Sequence, residues 1–217
     1  MALMGSMLAL LLTLLPARAA SWPDWRLPAP LQSAGRGDLV YPGWFAGRWL
    51  LNSESHTAAV RFDRRADGTV VGDRAFNAAS IGRALLGEAL LGVENDPANP
   101  NRQLARLQGE QLLESTVVAR RSESADGSFW SDELALQVVH GREGAPRVSR
   151  VETLSRYQRD DLGRIRGEQW QATYPSPAEG LAAAPLRTDH WLLTLGPEGE
   201  PDALRPGSGP PPADRAS

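Results

Sequence analysis

The sequence has 217 residues, a net charge of −3 and no cysteine. It also has no lysine, so all 23 basic residues are arginine. These absences exclude a disulfide scaffold, a thiol enzyme, an iron–sulfur carrier, Schiff-base chemistry and a P-loop lysine. The acidic balance argues against nucleic acid as a partner.

The chain begins with an apolar run, Met4 to Leu15, too short for a membrane span, which needs about 20 residues. Pro16 and the small-x-small triplet Ala17-Arg18-Ala19 follow, so residues 1–19 read as a signal peptide and the mature chain as exported. No later stretch is apolar enough for a transmembrane span. Residues 20–42, rich in Pro, Gly and Trp, read as an extended lead-in segment. Residues 43–195 carry the periodic pattern of a β domain. Residues 196–217 hold Pro197, Pro201, Pro206 and Pro210-Pro211-Pro212, have little to bury, and read as a disordered tail.

Within the domain, strands are predicted over Gly47 to Ser55 and Ala59 to Asp63. The turn Ala66-Asp67-Gly68 leads into a third, Thr69 to Asn77. Ala78 to Leu91 changes period: Ile81, Leu85, Ala89 and Leu90 share one helical face, with Asn77 as N-cap and Gly92 at the end. Strands follow at about Leu104 to Gln108, Leu112 to Ser122, Phe129 to His140, Arg147 to Arg159, Arg164 to Tyr174 and Arg187 to Leu195. Asp126-Gly127 and Leu162-Gly163 mark turns. The expected fold is mainly β: an antiparallel barrel of about nine strands with one short embedded helix.

Alternation identifies an interior. From Arg147 to Arg159, one face holds Ser149, Val151, Thr153, Ser155 and Tyr157, and the other holds Arg150, Glu152 and Arg156. The charged face is assigned to water, which leaves a small, mildly polar inner face suited to a cavity wall. Trp130 shares a face with Leu134, Leu136 and Val138, and Trp170 shares one with Ala172 and Tyr174. Thr153, Tyr157, Trp130 and Trp170 are therefore candidate ligand contacts.

Two polar segments flank the predicted helix: Asp73-Arg74 and Asn99-x-Asn101-Arg102. Arg74 and Arg102 suit bidentate binding of a carboxylate or phosphate. Asp73, Asn77, Asn99 and Asn101 equally suit helix capping and loop hydrogen bonds without any ligand. Glu94, Asp96, Asn99 and Asn101 fail the EF-hand spacing, and His56, His140 and His190 lack metal-ligand spacing. No metal set is assigned. No Gly-x-Ser-x-Gly, Rossmann or Walker pattern occurs. Asp132 and Glu133 are adjacent on a strand, point to opposite faces and form no acid/base pair. No catalytic residue is assigned.

Gly47-x-Trp49, opening the first long strand, resembles the lipocalin and calycin signature, in which the glycine admits a tight turn into the barrel and the tryptophan closes its floor. The wider pattern resembles a family of uncharacterised cyanobacterial and plastid proteins built on a domain of unknown function. It comprises Tyr41-Pro42-x-Trp44-Phe45-x-Gly47-x-Trp49, Asp73 to Ile81, Asp96 to Gln103, Val151-Glu152-Thr153 and Thr173-Tyr174-x-Ser176-Pro177. The resemblance spans roughly Tyr41 to Leu195. It implies a calycin-like barrel and a location in the thylakoid lumen or periplasm, with no activity attached. The leading expectation is a binding protein for an apolar or amphipathic small ligand, such as a pigment or lipid. The alternatives are a non-catalytic assembly factor for a thylakoid membrane complex, and an enzyme with an unrecognised site in the barrel.

Overall fold

In this computed structural model, residues 31–180 and 182–198 are described. The expected signal peptide, residues 20–30 of the expected lead-in and the tail beyond residue 198 lie outside the described residues; Gly196 and Pro197, expected in the tail, instead end a strand and pair with Leu50 and Trp49.

Four antiparallel β-strands, consecutive in the chain, form the middle of the sheet. They are β8 (Gln111–Ala125), β9 (Ser128–His140), β10 (Arg147–Arg159) and β11 (Ile165–Tyr174). β8 pairs β9, β9 pairs β10 and β10 pairs β11. Tight turns set this register, with Gly127 at φ 68° and Gly163 at φ 78°, a backbone region that glycine enters without steric cost. β12 (Arg187–Pro197) pairs β11 on one side and β3 (Gly47–Ser53) on the other. β4 (Thr57–Arg64) and β5 (Val70–Gly72) follow β3 as hairpins, and the short β2 (Val40–Tyr41) pairs β5. At the far side, β7 (Asn99–Leu107) pairs β8, and β6 (Leu90–Asp96) pairs β7. β1 (Gln32–Ser33) pairs β8 at Arg120 and Ala119, past the last residue that β7 pairs.

Among the described residues the result is one antiparallel sheet of twelve strands, eleven of them in the continuous order β2-β5-β4-β3-β12-β11-β10-β9-β8-β7-β6. The sheet curls into a half-barrel. This corrects the expected count of about nine: β1 and β2 are only two residues long, and β6 starts at Leu90, where the helix is expected to run on to Leu91 and a loop to follow Gly92, whereas the helix ends at Leu86.

The edge strands β2 and β6 do not pair with each other. The helix α1 (Arg74–Leu86) fills the gap, packing against both β4 and β6. Its Ile81 joins one hydrophobic cluster and its Ala78 the other. The helix starts four residues before the expected Ala78, so the predicted strand Thr69 to Asn77 shrinks to Val70–Gly72. The physical reason is the cap. Asp73 is extended (φ −70°, ψ 93°) and its carboxylate accepts from the Phe76 N–H at 3.2 Å. Asn77, expected as the cap, instead sits inside the helix and bonds to β4. It accepts from the Arg61 N–H at 2.7 Å and donates to the Arg61 carbonyl at 2.9 Å. One side-chain amide thus imitates a strand partner and fixes the helix to the sheet.

A second closure is the chain between β1 and β2, which crosses from β8 to β5 as a strap. Asn101 donates to the Gly35 carbonyl at 2.9 Å and Arg120 to the Gly37 carbonyl at 2.8 Å.

Candidate functional site

Register sorts the concave face into rows that cross several strands. At one end Phe129, Tyr157, Gly167 and Leu193 lie side by side. Tyr41, Phe45, Trp49 and Phe62 pack with them into a buried aromatic cluster. Ring centroids there lie 4.9 Å (Tyr41–Phe62) to 6.4 Å (Phe129–Tyr157) apart. Gly47 takes φ 128°, a conformation open to glycine, and Trp49 donates its indole N–H to the Phe45 carbonyl at 2.7 Å.

The next rows change character. Ser131, Ser155, Gln169 and Trp191 form one. Arg120, Glu133, Thr153, Gln171 and Asp189 form another, across five strands. Beyond a row of Val117, Ala135 and Val151 lies a second polar one: Asn95, Gln103, Ser115, Gln137 and Ser149. Most of these side chains are fully buried. Gln103 donates to Asn95 Oδ1 at 2.5 Å and Ser155 to Gln169 Oε1 at 3.4 Å.

Among the described residues, many belt atoms have no hydrogen-bond partner: Gln103 Oε1, Ser115 Oγ, Gln137 Nε2, Thr153 Oγ1, Gln169 Nε2 and both amide atoms of Gln171, with Thr173 Oγ1 beside Val151 in the row between. A buried polar atom without a partner costs about 1–3 kcal/mol. Over this set the penalty reaches the order of a domain's whole net stability, about 5–15 kcal/mol. These donors and acceptors therefore call for partners from outside the chain, either ordered water or a bound molecule.

At the strap the belt becomes charged. Arg120 Nε lies 3.0 Å from Glu133 Oε1, and Arg120 Nη2 donates to Asn101 Oδ1. Arg74 Nη1 reaches the same Asn101 oxygen at 3.5 Å and Asp38 Oδ1 at 3.4 Å. Burial lowers the Arg74 pKa to about 10, against the pull of Glu133 and Asp38.

The sequence-predicted residues separate. Thr153 and Tyr157 lie on the concave face, and Arg74 lies at its strap. Trp130 and Trp170 lie on the convex face, where Arg121 covers Trp130 at 4.7 Å and Arg156 covers Trp170 at 5.3 Å. Arg102 is not beside Arg74. It stands 37% exposed on β7, bound to Asp96 at 3.3 Å and Glu114 at 3.0 Å. Asn99 and Asn101 belong to β7 rather than to a loop beside the helix. Asn99 Oδ1 accepts from the Asn101 N–H at 3.0 Å.

The convex face holds a group that sequence reasoning missed. Asp132 is 1% exposed and Glu152 is 0% exposed, which corrects the assignment of the Glu152 face to water. In register Asp132 opposes Leu154 and Glu152 opposes Leu134, so the two carboxyls are diagonal neighbours. Tyr174 donates to Glu152 Oε2 at 2.7 Å. Asp132 Oδ1 and Glu152 Oε1 have no partner. Burial, and then the Glu152 charge, push the Asp132 pKa up to about 7. Burial raises that of Glu152 also. Asp132 and Glu133 do take opposite faces, as expected.

Fold and site together define a curled antiparallel sheet with a polar, under-bonded concave belt and an arginine-lined closure. The chain belongs to the DUF6816 family, a domain of unknown function, whose pattern matches residues 55–186. No curated protein and no solved structure matches the chain. Among the described residues, no helix is long and apolar enough to cross a membrane, and no group of three or more acidic or histidine side chains is placed to hold a metal ion.

Proposed function

We propose that this chain is an exported, lipocalin-like binding protein that holds an amphipathic small molecule, such as a pigment or lipid, on the concave face of its sheet. The thylakoid lumen or periplasm is its proposed location. The observation that carries this function is the set of unpartnered belt atoms around Thr153 and Gln171. They are mixed donors and acceptors, and they lie beside an aromatic cluster. A guest with hydrogen-bonding groups at one end and apolar surface at the other complements both regions. The polar belt favours an amphipathic guest over a purely apolar one, because an apolar guest leaves every belt atom unbonded.

Native mass spectrometry of the mature protein from its own host tests this, with an absorption spectrum alongside. The expected result is a mass increment that denaturation releases as one small molecule. Protein that is always recovered at its bare chain mass overturns the proposal.

Asp132 and Glu152 favour a second function, acid–base catalysis. A carboxyl with a pKa of about 7 can give and take a proton near neutrality. Retention of all chemical turnover by Asp132→Asn would exclude it.

A further inference from the structure

Resting on the belt's role as a binding site, we propose that Arg74, assisted by Tyr41, seats a carboxylate of the bound molecule beneath the strap.

Arg74 occupies a place that works against a guanidinium. It is only 8% exposed. It is also the first residue of α1, where the helix dipole disfavours positive charge. Its bonds do not compensate. Nη1 has only the long contacts to Asp38 and Asn101, at 3.4 and 3.5 Å. Nε and Nη2 have no partner. Those two nitrogens form one edge of the guanidinium, with parallel N–H bonds whose spacing matches the two oxygens of a carboxylate.

Tyr41 supplies a third free group. Its hydroxyl is unpartnered and the residue is 3% exposed. Arg74, Arg120 and Glu133 all act electrostatically on that hydroxyl, which places it in the same charged group. Its ring stands among Phe45, Phe62 and Phe129, at 5.0, 4.9 and 5.2 Å. The head-group seat and an apolar wall for the rest of a molecule therefore adjoin.

Charge balance selects the ligand class. Arg65, Arg74 and Arg120 are tied to Asp38 and Glu133, three positive groups against two negative, for a surplus of 3 − 2 = +1. A carboxylate monoanion neutralises that surplus. A phosphate monoester, carrying about −1.5 to −2, overshoots it.

The test uses full chain stripped of small molecules by denaturation and refolding. Calorimetry then compares dodecanoate, dodecanol and dodecyl phosphate. Wild type should bind dodecanoate about tenfold or more tightly than dodecanol, the margin of a charge-assisted pair. Arg74→Gln and Arg74→Lys should remove that preference, the second because lysine keeps the charge but lacks the two-pronged edge. Tyr41→Phe should reduce it without removing it, and it keeps the measurement decisive if Arg74→Gln fails to fold. Equal binding of dodecanoate and dodecanol by wild type overturns the seat. So does no dodecanoate binding by folded protein, a preference that survives Arg74→Gln, or tightest binding of dodecyl phosphate. A native guest that lacks a carboxylate also overturns the seat while leaving the belt's binding role intact.

Discussion

The aromatic end and the polar belt share one concave face and the same strands, yet they solve burial in opposite ways. At the aromatic end, Phe45, Phe62, Phe129 and Tyr157 fill space with ring against ring, and the Trp49 indole N–H has its carbonyl. Apart from the Tyr41 hydroxyl, that region is complete without help. A few ångströms along the same strands, Thr153, Gln169 and Gln171 are equally buried, and Thr153 Oγ1, Gln169 Nε2 and both amide atoms of Gln171 lack partners. The contrast separates a part of the sheet that stabilises the fold from a part that costs stability unless something binds it.

The aromatic end should be the most sensitive to truncation. Phe45→Ala removes a fully buried ring and should cost about 3–5 kcal/mol in denaturant unfolding. A loss below about 1 kcal/mol would deny that this end carries the fold. Gly167→Ala probes the same packing from the other direction. A Cβ there meets Tyr157 Cε1 at 2.8 Å and Leu193 Cβ at 3.2 Å, so overpacking should cost about 1–3 kcal/mol.

Asp132 extends the contrast to the convex face. Its pKa of about 7 lies above the ordinary 3.8, so the folded chain holds this proton more tightly than the unfolded chain. Stability should therefore fall as pH rises from about 4 to about 7 and level off above that. Glu152, shifted the same way, adds to the slope. Asp132→Asn should raise stability at pH 8 by about 1–3 kcal/mol and flatten the profile. The smallest effect belongs to the belt in empty protein. Thr153→Val deletes an unpartnered hydroxyl and should be neutral or stabilising by about 1 kcal/mol.

The sequence made the long strands, their turns and the Gly47-x-Trp49 opening legible, because alternation and Asp-Gly turns are local signals. The helix boundary was less legible. Asp73 and Asn77 are both good caps, and only the contact between Asn77 and β4 reveals which one is used. The belt was half legible. Thr153 and Tyr157 are legible on a mildly polar face, whereas Gln169 and Gln171 are not. Their strand alternates with Trp170, Ala172 and Tyr174, and aromatic residues draw the eye as the core face. Here that aromatic face is convex. It is buried at its end by the chain after β11, where Arg150 donates to the Pro175 carbonyl at 3.2 Å and the Gly180 carbonyl at 2.9 Å. No local pattern brings Arg74 and Arg120 to one asparagine, since that meeting depends on the strap and on the order of the whole sheet.

The central claim, that the belt is built for a guest, is tested most directly by one sign. Thr153→Val and Gln171→Leu should be compared with wild type by unfolding free energy, once in protein carrying its native guest and once in protein stripped of it. The prediction is opposite signs: stabilisation in the stripped protein and destabilisation in the loaded protein. The same sign and size in both would contradict it, and would make the belt an ordinary hydrated interior.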